Sequence, residues 1–304
     1  MKTLTRNISN LNIKHDTSDN PSFNYKNLLQ RLKVGNIDYF IGRFLFFRRF
    51  YSLYKYLKQK LLKVKKEETF ISQICDHSKL DVNSIVSQIK QDSYYNQLYL
   101  QESTVLSILK SAKSRYLIAK SEPTLIFFYD DYAEKIKPFK KLAMAHVSQP
   151  LKIEEIYKLR HDKFILSVVE KYLGYYPEKC TAKLWWSFAD NLSSQDRRKQ
   201  FQTIDYHYDV HGFNFCYVSF YITDVDIKSG AHVLVKSSHK NKKLFMLYRS
   251  ARLPDLIIEQ NYSTDDIVVI EGAAGKGFFE DTSCYHKALP PIERDRLLLQ
   301  LRYF

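Results

Sequence analysis

Apolar and polar positions change rhythm once along this chain. Up to about residue 176 the apolar residues recur every three or four positions, the spacing of a helix face. Beyond Pro177 they recur every second position, in short runs rich in Val, Ile, Phe and Tyr, the spacing of strands. Residues 38–66 predict one long amphipathic helix. Phe46, Phe50, Leu53, Leu57, Leu61 and Val64 share one face, and Arg48, Arg49, Lys55, Lys60, Lys63 and Lys66 lie mostly opposite. Helices are expected in EETFISQICD, LDVNSIVSQIKQD and QESTVLSILKSAKSRYL between residues 67 and 120. Another is expected from residue 151, in KIEEIYKLRHDKFILSVVEKYLGYY. The strands expected are 181–188, 203–209, 214–223, 232–237, 266–271, 276–280, 284–288 and 296–304. Short strands with turn-like breaks predict a small β-barrel or jelly roll, open at a mouth where side chains converge on a ligand.

At 304 residues, 45% hydrophobic and 15% aromatic, the chain can bury a full core. One large domain with an extension is the natural division: a basic arm over 1–66, then a domain over 67–304 with a helical part to about 176 and a β part from about 177. The charge supports it. Residues 1–66 carry fifteen Lys and Arg against three Asp, so +12 of the net +14 belongs to the arm. Residues 1–24 read as a polar, poorly ordered leader. The first residues lack the apolar core of a secretory signal, no apolar run reaches spanning length, and four scattered cysteines form no Cys-x-x-Cys pair. The expectation is a cytoplasmic protein with reduced thiols, peripheral at the inner membrane face if the arm binds lipid. Three partners suit that arm: an anionic membrane surface, the protein's own core with the basic face solvated, or a nucleic acid or protein.

The chemistry centres on Tyr206-His207-Tyr208-Asp209. On a strand, His207 and Asp209 project from one face. With His286 they would place two imidazoles and one carboxylate on one face of a metal octahedron, leaving three positions open, as in non-haem Fe(II) oxygenases. A chain with nine histidines produces a lone His-x-Asp easily, so the surroundings decide. His211 and His232 have no carboxylate at the matching offset, and His239 reads as a turn residue. Ten residues after His286, Arg296 opens the last strand. An inward guanidinium implies an anion, such as the far carboxylate of a metal-chelating dicarboxylate. Arg294 competes for that role, because strand parity puts Arg294, Arg296, Leu298, Gln300 and Arg302 on one side.

These pieces, in order, resemble the phytanoyl-CoA dioxygenase (PhyH-like) family of Fe(II)/2-oxoglutarate-dependent oxygenases over residues 183–304. The segments that carry the likeness are YHYD, FYITDVDIKSGAHVLVKSSHK, VIEGAAGKGFFEDTSCYHK and RDRLLLQLRYF. The resemblance implies an α+β, mainly β fold: a double-stranded β-helix (jelly-roll, cupin-like) core with N-terminal helices packed outside. It implies Fe(II) held by His207, Asp209 and His286, 2-oxoglutarate anchored by Arg296, O2 as oxidant, and hydroxylation of an unactivated C–H bond. Asp at 209, where a halogenase would leave the ligand position vacant, favours hydroxylation. Two positions depart from the family. Ser237 replaces a turn glycine, and Ala288 replaces a serine that helps hold 2-oxoglutarate, so another hydroxyl has to supply that bond. The insertion HKNKKLFMLYRSARLPDLIIEQNY is basic at Lys240, Lys242, Lys243, Arg249 and Arg252, with Arg249 and Arg252 the substrate-binding candidates. Such a cationic lid suits a small anionic substrate, or a lipid- or glycan-linked one. The alternative is a catalytically inactive jelly-roll binding ligand or metal. A nucleic-acid substrate is disfavoured, because no base-stacking motif accompanies the basic arm.

Overall fold

The structure, a computed structural model, describes residues 40–304 except His211 and Arg249. The leader, the first residues of the arm and those two side chains lie outside the described residues. The first half contributes helices α1 (Leu45–Leu61), α2 (Val82–Asp92), α3 (Glu102–Lys113), α4 (Glu154–Arg160) and α5 (Lys163–Leu173), and strands β1 (Tyr94–Tyr99), β2 (Leu117–Ala119), β3 (Ile126–Phe127) and β4 (Met144–Val147). The second half contributes β5 (Cys180–Ser187), β6 (Tyr206–His207), β7 (Cys216–Tyr221), β8 (His232–Val235), β9 (Arg252–Leu253), β10 (Ile267–Ile270), β11 (Lys276–Glu280), β12 (His286–Ala288) and β13 (Arg296–Tyr303).

The strands form two antiparallel sheets, ordered β1-β11-β7-β13-β5-β4-β2-β3 and β10-β8-β12-β6-β9. From β5 to β8, and again from β10 to β13, successive strands alternate between the sheets. That crossing back and forth gives an α+β fold resembling a jelly-roll core, and no closed barrel forms among the described residues. Strand β13 shows how the layers are held. Leu297, Leu299, Leu301 and Tyr303 enter the core between the larger sheet and the helices, while Leu298 joins Tyr221 and Phe278 between the sheets. Each buried Leu contributes about 1.5–3 kcal/mol. A slip of one residue would drive Arg296 into the helix-side core, so the register is strongly specified.

All eight expected strands are present, several of them shorter than expected. The run expected over 203–209 pairs only at Tyr206–His207, because the next amides turn elsewhere: Tyr208 N–H donates to the Ala251 carbonyl and Asp209 N–H to that of Thr282. The expectation of a helical 67–176 is corrected in three places. EETFISQICD is not helical, and it meets the body through isolated bridges at Phe70 and Ile74. Tyr94–Tyr99 and Leu117–Ala119 are strands, drawn into the larger sheet by β11 and β4, distant partners that local periodicity does not reveal. The helix expected from 151 breaks at Asp162, whose carboxylate accepts the Phe164 and Ile165 amides and so starts α5 afresh. That helix ends on Gly174 with φ at +81°, close to where the pattern placed its end.

Helix α1 forms inside the expected stretch, but its faces are turned opposite to the usual arrangement of a surface helix. Arg48 and Lys55 are its buried residues, and the apolar stripe looks outward. No helix among the described residues is long and apolar enough to cross a membrane.

Candidate metal centre

His207 on β6 and His286 on β12 face each other directly across the smaller sheet, with their rings 4.3 Å apart. Each Nδ1 lies 3.0 Å from a main-chain carbonyl two residues earlier, Asp205 for His207 and Cys284 for His286. A carbonyl only accepts, so each Nδ1 carries the proton and each Nε2 keeps its lone pair for a ligand. Burial, and then the neighbouring His286, push His207 down to about 3, which keeps its imidazole in the neutral form that binds metal. Asp209 follows two residues later, just past the end of β6. The 2.7 Å bond from its amide to the Thr282 carbonyl ties it to the same chain segment that leads into His286. Burial, and then the nearby Asp209, push the Tyr217 hydroxyl on β7 well above its ordinary value. The ligating atoms of His207, Asp209 and His286 all lie within 4.8 Å of one another, close enough to share one ion.

A cavity of about 170 Å³ opens onto these three residues, with Arg296 on its wall. Arg296 is 2% exposed. Its Nη1 donates to the Gly230 carbonyl, its Nη2 donates to the Ser187 hydroxyl at 3.2 Å, and its Nε has no partner. Among the described residues no carboxylate pairs with it, and burial lowers its basicity below the ordinary arginine value. Gly230 suits the tight turn that presents this carbonyl. Its φ of +91° suits glycine, and a Cβ there would sit 2.9 Å from the Leu289 carbonyl. Arg294, its competitor by parity, precedes β13, is half-exposed and pairs with Asp226. The structure therefore separates two arginines that the alternation left equivalent. The buried guanidinium with an unmet Nε–H fits a carboxylate, and the His/Asp/His set beside it fits Fe(II).

Other residues of the site were not recognised in the sequence. His232, set aside there for lack of an offset carboxylate, opens β8 and lines the cavity. Its Nε2 lies 3.1 Å from the buried Glu280, which also accepts from the Cys284 thiol and lies 3.9 Å from His286 Nδ1. Glu280, Cys284 and His286 also bring ligating atoms together. In that group, burial pushes the Cys284 thiol far above its ordinary value, and His286 Nδ1 is committed to a carbonyl. The group therefore reads as a support behind His286. Only the packing of β11 in the larger sheet against β8 and β12 in the smaller one assembles it, and no motif announces it.

The cavity lining also carries two lysines and a histidine: Lys120 after β2, His146 on β4 and Lys183 on β5. Burial, then Lys183 and Arg252, lower Lys120 to about 8; burial, then Lys120 and Lys183, lower His146 to about 4. Arg252 lies on β9 directly opposite His207 in register and is exposed. The Lys240, Lys242 and Lys243 cluster of the insertion divides. Lys242 is turned inward over the Tyr208 and Tyr285 rings, and burial brings it to about 7.

No protein-family model matches the chain, and comparison with curated proteins finds no match. Solved structures similar to it include the non-haem α-ketoglutarate-dependent carbocyclase SnoK from nogalamycin biosynthesis, 14% identical with a TM-score of 0.49 over 75% of this chain and 85% of that one. EvdO2 from Micromonospora carbonacea var. aurantiaca, solved with 2-oxoglutarate, is 12% identical with a TM-score of 0.49 over 74% and 90% of the two chains. The α-ketoglutarate-dependent epimerase SnoN, also from nogalamycin biosynthesis, is 15% identical with a TM-score of 0.47 over 73% and 82%.

Proposed function

We propose that this protein is an Fe(II)- and 2-oxoglutarate-dependent dioxygenase that hydroxylates an unactivated C–H bond of a small anionic substrate, on a double-stranded β-helix core. One observation carries the reading: two imidazoles and a carboxylate converge in a cavity whose wall holds a buried arginine with an unpartnered Nε–H. Iron so held, with 2-oxoglutarate and oxygen, supplies the oxidising power. The chain supplies the geometry. His207 and His286 present Nε2 because carbonyls occupy their Nδ1 protons. The Thr282 carbonyl fixes Asp209 through its main-chain amide. Arg296 offers Nε and the spare proton of Nη2 to the distal carboxylate of the co-substrate. Ser187, opposite Arg296 in register, stands where it can supply the hydroxyl that Ala288 lacks. Trp185 and Leu298 line the cavity and limit water there. Lys120, Lys183 and Arg252 favour an anionic group on the substrate, since among the described residues no carboxylate pairs with any of them.

Anaerobic Fe(II) titration in the presence of 2-oxoglutarate tests the reading. A visible charge-transfer band that requires both additions, and disappears in His207→Ala, is expected. Metal binding with no response to 2-oxoglutarate would instead identify a jelly-roll binding protein.

A further inference from the structure

We propose that α1 docks the protein on an anionic lipid bilayer, with its apolar stripe in the interface and its polar stripe on the protein. The helix is held through its polar face. Arg48, Ser52, Lys55 and Gln59 follow the three- and four-residue spacing of one face, and each bonds to the body or to a neighbour that does. Arg48 reaches Asp281 at 3.0 Å, Ser283 at 2.6 Å and Asn214 at 2.9 Å. Ser52 accepts from Asn214, and Lys55 pairs with Glu178 at 2.5 Å. Gln59 exchanges two bonds with the Tyr176 backbone. Tyr51 stacks on Phe213 beside this polar row.

A helix anchored through its polar stripe has its apolar stripe left over. At 100° per residue, Phe46, Phe50, Leu53, Leu57 and Leu61 centre on the direction opposite Arg48 and Lys55. Phe46 is 71% exposed, Phe50 66% and Leu61 82%. The surface continues past the N-terminus of the helix. Phe44 packs edge-on against Phe47 and Tyr248, and Leu244, next along the insertion, is also exposed. A solvated helix would have the reverse arrangement, because this much exposed aromatic and aliphatic surface favours association.

Charge selects the occupant. Arg49 and Lys60 border the stripe on one side and Lys58 on the other, all exposed, and α1 contains no acidic residue. Lys63 and Lys65 extend the cations beyond its end. Apolar side chains centred between cations match the headgroup–acyl boundary of a bilayer carrying anionic lipid. Two copies of the same face would bring like charges together along both rims, which disfavours self-association.

The test uses the full chain in flotation with vesicles of phosphatidylcholine alone or of phosphatidylcholine with phosphatidylglycerol. Wild-type protein is expected to float with the anionic vesicles and less with the neutral ones, and high salt is expected to weaken the binding. The triple variant Phe50→Ser, Leu57→Ser, Leu61→Ser should bind at least about a hundredfold more weakly. Because those side chains face outward, its thermal unfolding should match that of wild type. Arg49→Gln with Lys60→Gln should remove most of the preference for anionic lipid. Light scattering on the same samples covers the rival occupant. A wild-type dimer that the triple variant turns into a monomer, without vesicle binding by either, overturns the proposal. So does equal recovery of wild type and triple variant with the vesicles. None of these readouts depends on iron or on turnover.

Discussion

Removing the Arg48 guanidinium gives the sharpest test of how the arm is joined to the site. Arg48 is 4% exposed and meets Asp281, which is fully buried. Asp281 and Ser283 belong to the turn between β11 and β12, and that turn carries the Thr282 carbonyl that holds Asp209 and leads into His286. Arg48→Met keeps the bulk of the side chain and leaves the Asp281 charge buried without its partner, a change that costs about 3–5 kcal/mol. Asp281→Asn should cost a similar amount, because Asp281 also accepts from Tyr172 and the Ser283 amide. The double variant removes both charges and should be less destabilised than the sum of the singles by at least about 2 kcal/mol. Urea unfolding followed by the fluorescence of Trp185 and Trp186, both on β5, measures all four proteins. The pH dependence has a definite sign. Burial works to raise the Asp281 carboxyl, but Arg48, His239, Tyr172 and Ser283 together hold it well below its ordinary value. That stabilisation is present above the unfolded carboxyl value and is lost as pH falls through the folded one. The gap between wild type and Arg48→Met should therefore narrow under acid. Loss of less than about 1 kcal/mol in Arg48→Met, the range of an exposed pair, or singles that simply add, would refute the reasoning.

Arg296→Met should abolish stabilisation by 2-oxoglutarate while leaving the ligand-free protein no less stable, because it removes a buried charge that lacks a carboxylate partner; thermal shift with and without the co-substrate reads both effects. His286→Ala should abolish Fe(II) binding in calorimetry with near-wild-type unfolding, whereas Glu280→Gln should weaken metal binding about 10–100-fold by freeing the support behind His286. Lys120 is lowered to about 8 by burial, Lys183 and Arg252, so the unfolded chain binds more protons than the folded one between there and the ordinary lysine value. The wild type should gain stability across that alkaline window as pH rises, and Lys120→Met should lose this gain in denaturation curves.

Some of this protein is written in local spacing. The change from helical to alternating rhythm at Pro177 locates the β half, and His-x-Asp on an extended segment puts two ligating groups on one side. Those features depend only on neighbours within a few residues, which is why a linear pattern carries them. What depended on strand pairing did not appear there. Arg294 and Arg296 share parity, and only the start of β13 opposite Ser187 places one in the cavity and the other on Asp226. His232 and Glu280 meet behind His286 because β8 and β11 lie on facing sheets. Helix α1 is the clearest case. Its periodicity showed two faces, but which face turns inward was decided by Asn214, Asp281 and Ser283, residues more than 160 positions away along the chain. A buried charge needs its partners delivered by the fold, and only tertiary structure shows where they arrive.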